Sequence, residues 1–279
     1  MTSPAPAAAR TAPARARLSP RRRALISRVV QYAVLVVVLG AAALAIDWDN
    51  VGTNIFNPDA ARAVLPQLPK AFLNTVTYTI AAFAVGIALG TLLALMRLSS
   101  VGLYRAIATA YVEFFRGIPA LLFVLTVGFG VPFAFGVQFD SVVTKVAIGL
   151  GMVSAAYIAE TLRAGLQAVP KGQVEAARSL GMSHTRTMVT IVIPQAFRIV
   201  LPPMTNEVIL LTKDTALVFG LGLTAADFEL TKIGSNALSS PAGGGMTALF
   251  VVGFCYLIIT IPLGYLARKL EAKGARSRA

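Results

Sequence analysis

The sequence predicts an all-α protein, a polytopic membrane bundle of six transmembrane helices, and three observations predict it. Hydrophobic residues make up 56% and charged residues 13% of the 279 positions, and the mean hydropathy is +0.73, more apolar matter than a soluble core of that size encloses. It is gathered into runs of roughly 20 residues, the length at which a helix rising about 1.5 Å per residue crosses a hydrocarbon layer of about 30 Å. Cationic residues crowd alternate connections between the runs, as they do when those connections share the cytoplasmic side.

Residues 1–28 are rich in Ala, Pro and Arg and hold no acidic side chain, so they read as a disordered basic cytoplasmic tail. The first span, residues 29–46, ends in Ala43-Leu44-Ala45, the small-residue pattern of a signal-peptidase site. Its length reads instead as a retained N-terminal anchor, with a cleaved signal as the alternative. Residues 47–71 are polar and Pro-containing, an extracytoplasmic linker. The second span, residues 72–96, carries no charge and is rich in Ala, Gly and Thr, which let helices approach closely.

The third span begins amphipathically in ATAYVEFFRGIP and turns fully apolar in ALLFVLTVGFGVPFAFG. A fourth covers residues 142–162, NEVILLTKDTALVFGLGLT is the fifth, and residues 246–266 form the sixth. The polar, Gly/Pro-rich residues 227–245 read as a loop, and residues 267–279 as a second basic tail. Arg97, Arg105, Arg163, Lys171, Arg178, Arg186, Arg198 and both tails fall on one side of this scheme, while Asp47, Asp49, Asp59, Asp140, Asp227 and Glu229 fall on the other. Both termini are therefore expected in the cytoplasm, and the chain in the cytoplasmic membrane. The formal net charge of +13 then faces anionic lipid and requires no nucleic acid.

Several chemistries are poorly supported. Cys255 and His184 are each the sole residue of their type, so disulfide, thiolate-metal and His-based acid/base chemistry have no constellation to rest on. No GxxxxGK[ST] segment occurs, so the chain cannot cradle ATP phosphates and no cofactor is expected. Gly220 and Gly222 fit a GxGxxA pattern, but inside an apolar span they read as packing residues.

Residues 170–194 carry the most specific signal. Ala177, Gly181 and Ser183 are spaced as in a DNA-reading helix-turn-helix, yet the second helix runs on into IVIPQAFRIVLPP and presents no polar face to base edges. Pro170 ends one element, Lys171 to Leu180 are good helix formers, Gly181 suits a left-handed helix end, and Ser183 suits a cap. Two short cytoplasmic helices at an angle follow, with Val174, Ala177 and Leu180 as an apolar stripe for a partner's groove. A loop that merely returns the chain to the membrane is the alternative.

Glu175-Ala176-Ala177, three residues, Gly181, nine residues, then Ile191, Ile193 and Pro194 resembles the EAA signature of permease subunits of bacterial ABC importers, whose consensus has Leu where Ile193 stands. Phe115-Arg116-Gly117-Ile118-Pro119 is similar to the FRGTP of the branch that imports polar amino acids, with Ile118 for Thr. Segments beginning at Glu160, at Pro170 and at Lys213-Asp214-Thr215 are also similar to recurrent segments of that branch. The resemblance covers about Asn74 to the C-terminus and implies a five-span permease core, residues 72–266, to which the first span is an addition. It implies that Glu175, Ala176, Ala177, Gly181, Ile191 and Pro194 couple the chain to a separate ATPase subunit, which hydrolyses the ATP. It also implies two ATPase copies, a dimer with itself or a sister permease, and an extracytoplasmic amino-acid-binding protein. The long basic N-terminus and extra span are most similar to glutamate-type importers, with basic amino acids the next cargo class. Leu121–Val124 stand where the family usually has a Gln.

Ionisable residues within spans are functional candidates because they are costly there. Lys213, Asp214 and Thr215 are expected to line the path, and Glu207 is a further candidate. Glu113 with Arg116 and Glu160 with Arg163 have i,i+3 spacing and read as structural ion pairs. Two other readings remain open at this point: an ion-coupled secondary transporter, although no internal repeat is evident, and a membrane-anchored helix-turn-helix regulator.

Overall fold

The computed structural model describes residues 20–239 and 244–276, and among these every regular element is helical. The chain divides into two units, residues 1–51 and 52–279. The first holds α1 (Pro20–Ala45), which begins inside the segment expected to be a structureless tail. Pro20 stands at its first helical position, where a missing N–H leaves nothing unpaired. At its far end Trp48 Nε1 donates to the Ala43 carbonyl at 2.9 Å, and Asp47 accepts from the Asn50 amide at 3.0 Å to start α2 (Trp48–Asn54).

The second unit opens with α3 (Pro58–Val64), capped by Asn57, whose side chain accepts from the Asp59 and Ala60 amides. Residues 47–71 are thus largely helical rather than an open linker. Next come α4 (Leu68–Leu98), α5 (Gly102–Gly117), α6 (Ala120–Leu125), α7 (Val131–Phe135) and α8 (Val142–Gln167). They are followed by α9 (Lys171–Ser179), α10 (His184–Thr187), α11 (Ile193–Asp214), α12 (Leu230–Leu238) and α13 (Gly245–Arg276).

Among the described residues five helical stretches are long and apolar enough to cross a membrane: Pro20–Ala45, Trp48–Leu98, Val142–Gln167, His184–Leu221 and Gly245–Lys273. A sixth candidate is the pair of α5 and α6–α7, a broken span or a re-entrant loop bent by 104° at Ile118-Pro119, where proline forbids a continuous helix. The six runs of the sequence are therefore six helical segments of the fold.

Packing is closest between α4 and α8. Gly86 and Gly90, four residues apart on α4, meet small residues of α8. A Cβ on Gly90 would stand 2.9 Å from the Ala155 carbonyl oxygen and 2.7 Å from Ile158 Cγ2, so only hydrogen fits. Such close backbone approach replaces the hydrophobic drive that lipid cannot supply.

Two π-helical turns interrupt the spans, at Thr126–Gly130 and Met188–Val192. Each is followed two residues later by proline, Pro132 and Pro194. Proline cannot donate to the carbonyl four residues back and its ring crowds that oxygen, so the preceding turn widens.

The segment between the fifth and sixth spans, expected to be a loop, carries α12 with Leu230, Ile233 and Gly234 buried. Side chains of α4 hold its approach: Asn74 Nδ2 donates to the carbonyls of Ala226 and Phe228, both at 2.9 Å, and Tyr78 donates to that of Asp227 at 2.8 Å. The Thr75 hydroxyl accepts from the Leu230 amide at 3.2 Å. Glu229 caps α12, accepting from the Thr231 and Lys232 amides at 2.6 and 2.7 Å, and the Tyr256 hydroxyl of α13 lies 3.2 Å away. Its carboxyl is fully buried, and burial pushes it from the usual 4.5 up to about 7 against the pull of these donors.

Candidate coupling elbow and membrane cavity

Residues 170–194 fold as the cap signals require. Gly181 has φ +80°, the left-handed conformation that a Cβ disfavours. Its amide donates to the Arg178 carbonyl and that of Met182 to the Ala177 carbonyl, at 3.0 and 3.1 Å, the paired closure that ends α9. Ser183 then starts α10 by accepting from the Arg186 amide at 3.3 Å. No heavy atom lies within 4 Å of the place where a Cβ on Gly181 would be, so conformation rather than space demands glycine there.

The apolar stripe of α9 does not face outward as a unit. Ala177 is buried, and half-buried Val174 packs with Val169, Val192 and Ala196 against the ends of α8 and α11. Only Leu180, 84% exposed, is presented at the elbow. The outer face consists of Glu175, Ala176, Arg178 and Ser179, all exposed. Ile191 lies within the second π turn and is half-buried, and Pro194 sits exposed in the first turn of α11. The elbow thus has an inward face that fixes it to the bundle and an outward face that is polar and small.

A cavity of about 230 Å³ opens between the α5–α6 break, α8 and α11. Ile118, Ser154, Tyr157 and Leu211 shape it, and Glu207 and Asp214 supply its only charged lining. Those two carboxylates are seven residues apart on α11, two turns along one face and about 10 Å apart in helix rise. Ser154 and Tyr157 lie near the middle of the 26-residue α8, so the cavity sits deep between the ends of the spans.

Of the three residues expected to line a translocation path, only Asp214 lines this cavity. Lys213 is exposed, and Thr215 is fully buried with its hydroxyl bonded to the Thr212 carbonyl at 2.7 Å. Glu207 is the partner that sequence spacing offers, since i and i+7 share a helix face. Of the two expected ion pairs, one forms and grows: Glu160 is gripped by Arg163 and also by Arg97 of α4. Glu113 and Arg116 do not pair; the Arg116 guanidinium lies over the Tyr157 ring, 5.9 Å from its centroid. No group of metal-binding side chains occurs among the described residues.

Residues 86–274 match the binding-protein-dependent transport system inner membrane components. The chain belongs to that family. It is 32% identical to the "Arginine transport system permease protein ArtQ" of Bacillus subtilis (strain 168), over 76% of this chain and 95% of that one. It is 34% identical to the "Glutamate/aspartate import permease protein GltK" of Escherichia coli O157:H7, again over 76% and 95%. In three dimensions it is similar to a chain of the "Crystal structure of an amino acid ABC transporter with histidines", with a TM-score of 0.69 and 32% identity over 76% of this chain and 96% of that one. As an inner membrane component, the chain is a multi-pass permease subunit of an ABC importer and works with an ATPase and a binding protein. Neither a secondary transporter nor a helix-turn-helix regulator fits that membership.

Proposed function

We propose that the chain moves polar amino acids through the cavity at Glu207 and Asp214 by alternating access, driven by two ATPase subunits seated on the elbows of two permeases. The observation that carries this reading is a cavity deep in the bundle whose only charges are two carboxylates. An amino acid of any kind brings an ammonium, and a carboxylate in a low-dielectric site is its natural partner. Asp214 belongs to a segment similar to one recurrent in the polar-amino-acid branch, which suits a role in binding what all such cargoes share. The second carboxylate favours a cargo with an additional positive charge. Basic amino acids therefore move ahead of glutamate, the cargo class first suggested by the N-terminus, and an acidic cargo becomes the second reading.

The dimer rests on exposure. Arg116, Tyr157 and Lys213 are open on a single chain at positions within its spans. Charged groups bared to hydrocarbon are expensive, so this surface faces a pore completed by a second permease, either another copy or a sister chain. The elbow lies at the opposite end of α8 from the α4 clamp on α12, which suits a topology with residues 168–194 and both termini in the cytoplasm and α12 outside.

At the elbow, Glu175, Ala176 and Leu180 form the surface for the ATPase, while Val174 and Ala177 carry its motion into α8 and α11. The test compares two variants in native membranes, scoring radiolabelled amino-acid uptake and the ATPase that co-purifies with the tagged chain. Asp214→Asn should abolish uptake and keep the ATPase. Gly181→Val forces a β-branched residue into a left-handed conformation, at a cost of roughly 1–2 kcal/mol, and should release the ATPase from a chain that still inserts. Full uptake by Asp214→Asn would refute the cavity, and full ATPase recovery with Gly181→Val would refute the elbow.

A further inference from the structure

The Arg116 side chain is exposed on the single chain, about level with Tyr157 in the middle of α8, and forms no ion pair among the described residues. Tyr157, over which it sits, is ten residues from the end of α8 at Gln167, about 15 Å along the helix. Among the described residues the ion pairs are Arg62 with Asp59, and Glu160 with Arg97 and Arg163. Both oxygens of Glu160 are thereby occupied, so its carboxylate feels the charge of Arg116 without bonding to it, and Glu113, one turn away on α5, forms no ion pair with Arg116. No hydrogen bond among the described residues uses an Arg116 N–H, so its donors are open to a ligand. Tyr157 and Ile118, two residues beyond Arg116, both line the cavity that holds Glu207 and Asp214.

We infer that Arg116 receives the α-carboxylate of the cargo, so that the cavity reads the zwitterion from both ends: ammonium on Asp214 and Glu207, carboxylate on Arg116. This rests on the cavity being the translocation site. A planar guanidinium matches a carboxylate through two parallel hydrogen bonds, a geometry that an ammonium in its place does not offer. A guanidinium with no ion-pair partner at mid-span depth attracts an anion that enters the pore. With Asp214 on the ammonium, Glu207 is left for the side-chain charge of a basic amino acid. An acidic amino acid would leave two like charges facing each other.

The experiment measures competition binding to the full chain, purified with its ATPase in lipid nanodiscs. The probes are L-arginine, L-glutamine and L-glutamate, each beside its α-carboxamide, which keeps the ammonium and side chain but removes the α-carboxylate charge. Wild type should bind at least one amino acid at least about tenfold more tightly than its amide. Arg116→Gln should erase that gap by weakening the amino acid and leaving the amide unchanged, and Arg116→Lys should retain part of it. An undiminished gap in Arg116→Gln would overturn the assignment; so would equal loss of acid and amide, which is the signature of a merely structural residue. If Asp214→Asn left the binding of acid and amide intact, the cavity itself would be misassigned while the Arg116 comparison still stood. Failure of wild type to bind any of the three would remove both.

Discussion

Glu229 is the residue whose charge state bears most directly on stability outside the spans. Its carboxyl titrates near 7 in the folded chain against about 4.5 when unburied. A raised folded-state value means that folding favours the proton. The stabilisation is complete below about pH 4.5 and is lost as the pH rises through about 7. Thermal unfolding of the purified chain should therefore show a falling midpoint across that interval, and Glu229→Gln should flatten it. An identical slope in both proteins would show that the cap stays ionised. Sequence spacing did not reveal this group, because Glu229 reads as one more acid on the extracytoplasmic side; its burial comes from α4 and α13, distant in the chain. Arg116 misleads in the opposite way. Its i,i+3 offset from Glu113 is right for a pair, but Phe115 packs against α8 and turns Arg116 toward Tyr157 instead.

Helical elements were legible wherever lipid or a cap imposes a rule. A span must satisfy its backbone internally and hide it in apolar side chains, so residues 72–96, 142–162 and 246–266 appear in the sequence as plain runs. Gly181 and Ser183 identify the elbow because left-handed closure and side-chain capping each admit few residue types. By contrast, α2, α3 and α12 lie in stretches whose polarity resembles that of loops, and the π turns have no hydrophobic signature apart from the prolines that follow them. The inward set of Val174 depends on Val192 and Ala196 and has no local mark. The α4–α8 contact offers a direct test at this level. Gly90→Leu forces a side chain against the Ala155 carbonyl oxygen, which cannot rotate away, and should cost about 1–3 kcal/mol, read as a lower denaturation midpoint in detergent. Gly253→Leu, on a helix position with nothing within 4 Å, should leave the midpoint unchanged.

Across the second unit as a whole, the bond pattern separates what is fastened from what is free to slide. Asn74, Thr75 and Tyr78 bind four consecutive-to-neighbouring backbone groups between Ala226 and Leu230, so α4 and the start of α12 form one body. The α5–α6 side of the cavity is tied more sparsely: Tyr111 donates to the Met152 carbonyl of α8 at 2.8 Å and Arg116 lies over Tyr157, and the rest is apolar contact around Val124, Leu150 and Leu211. Spectroscopic rulers make that difference measurable. A pair of spin labels at exposed Leu73 and half-buried Thr231 should report one unchanging separation whether nucleotide is bound or released. Labels at exposed Phe133 and Leu73 should report two. The door at this end of the bundle would then have a fixed jamb, α4 with α12, and a single moving leaf.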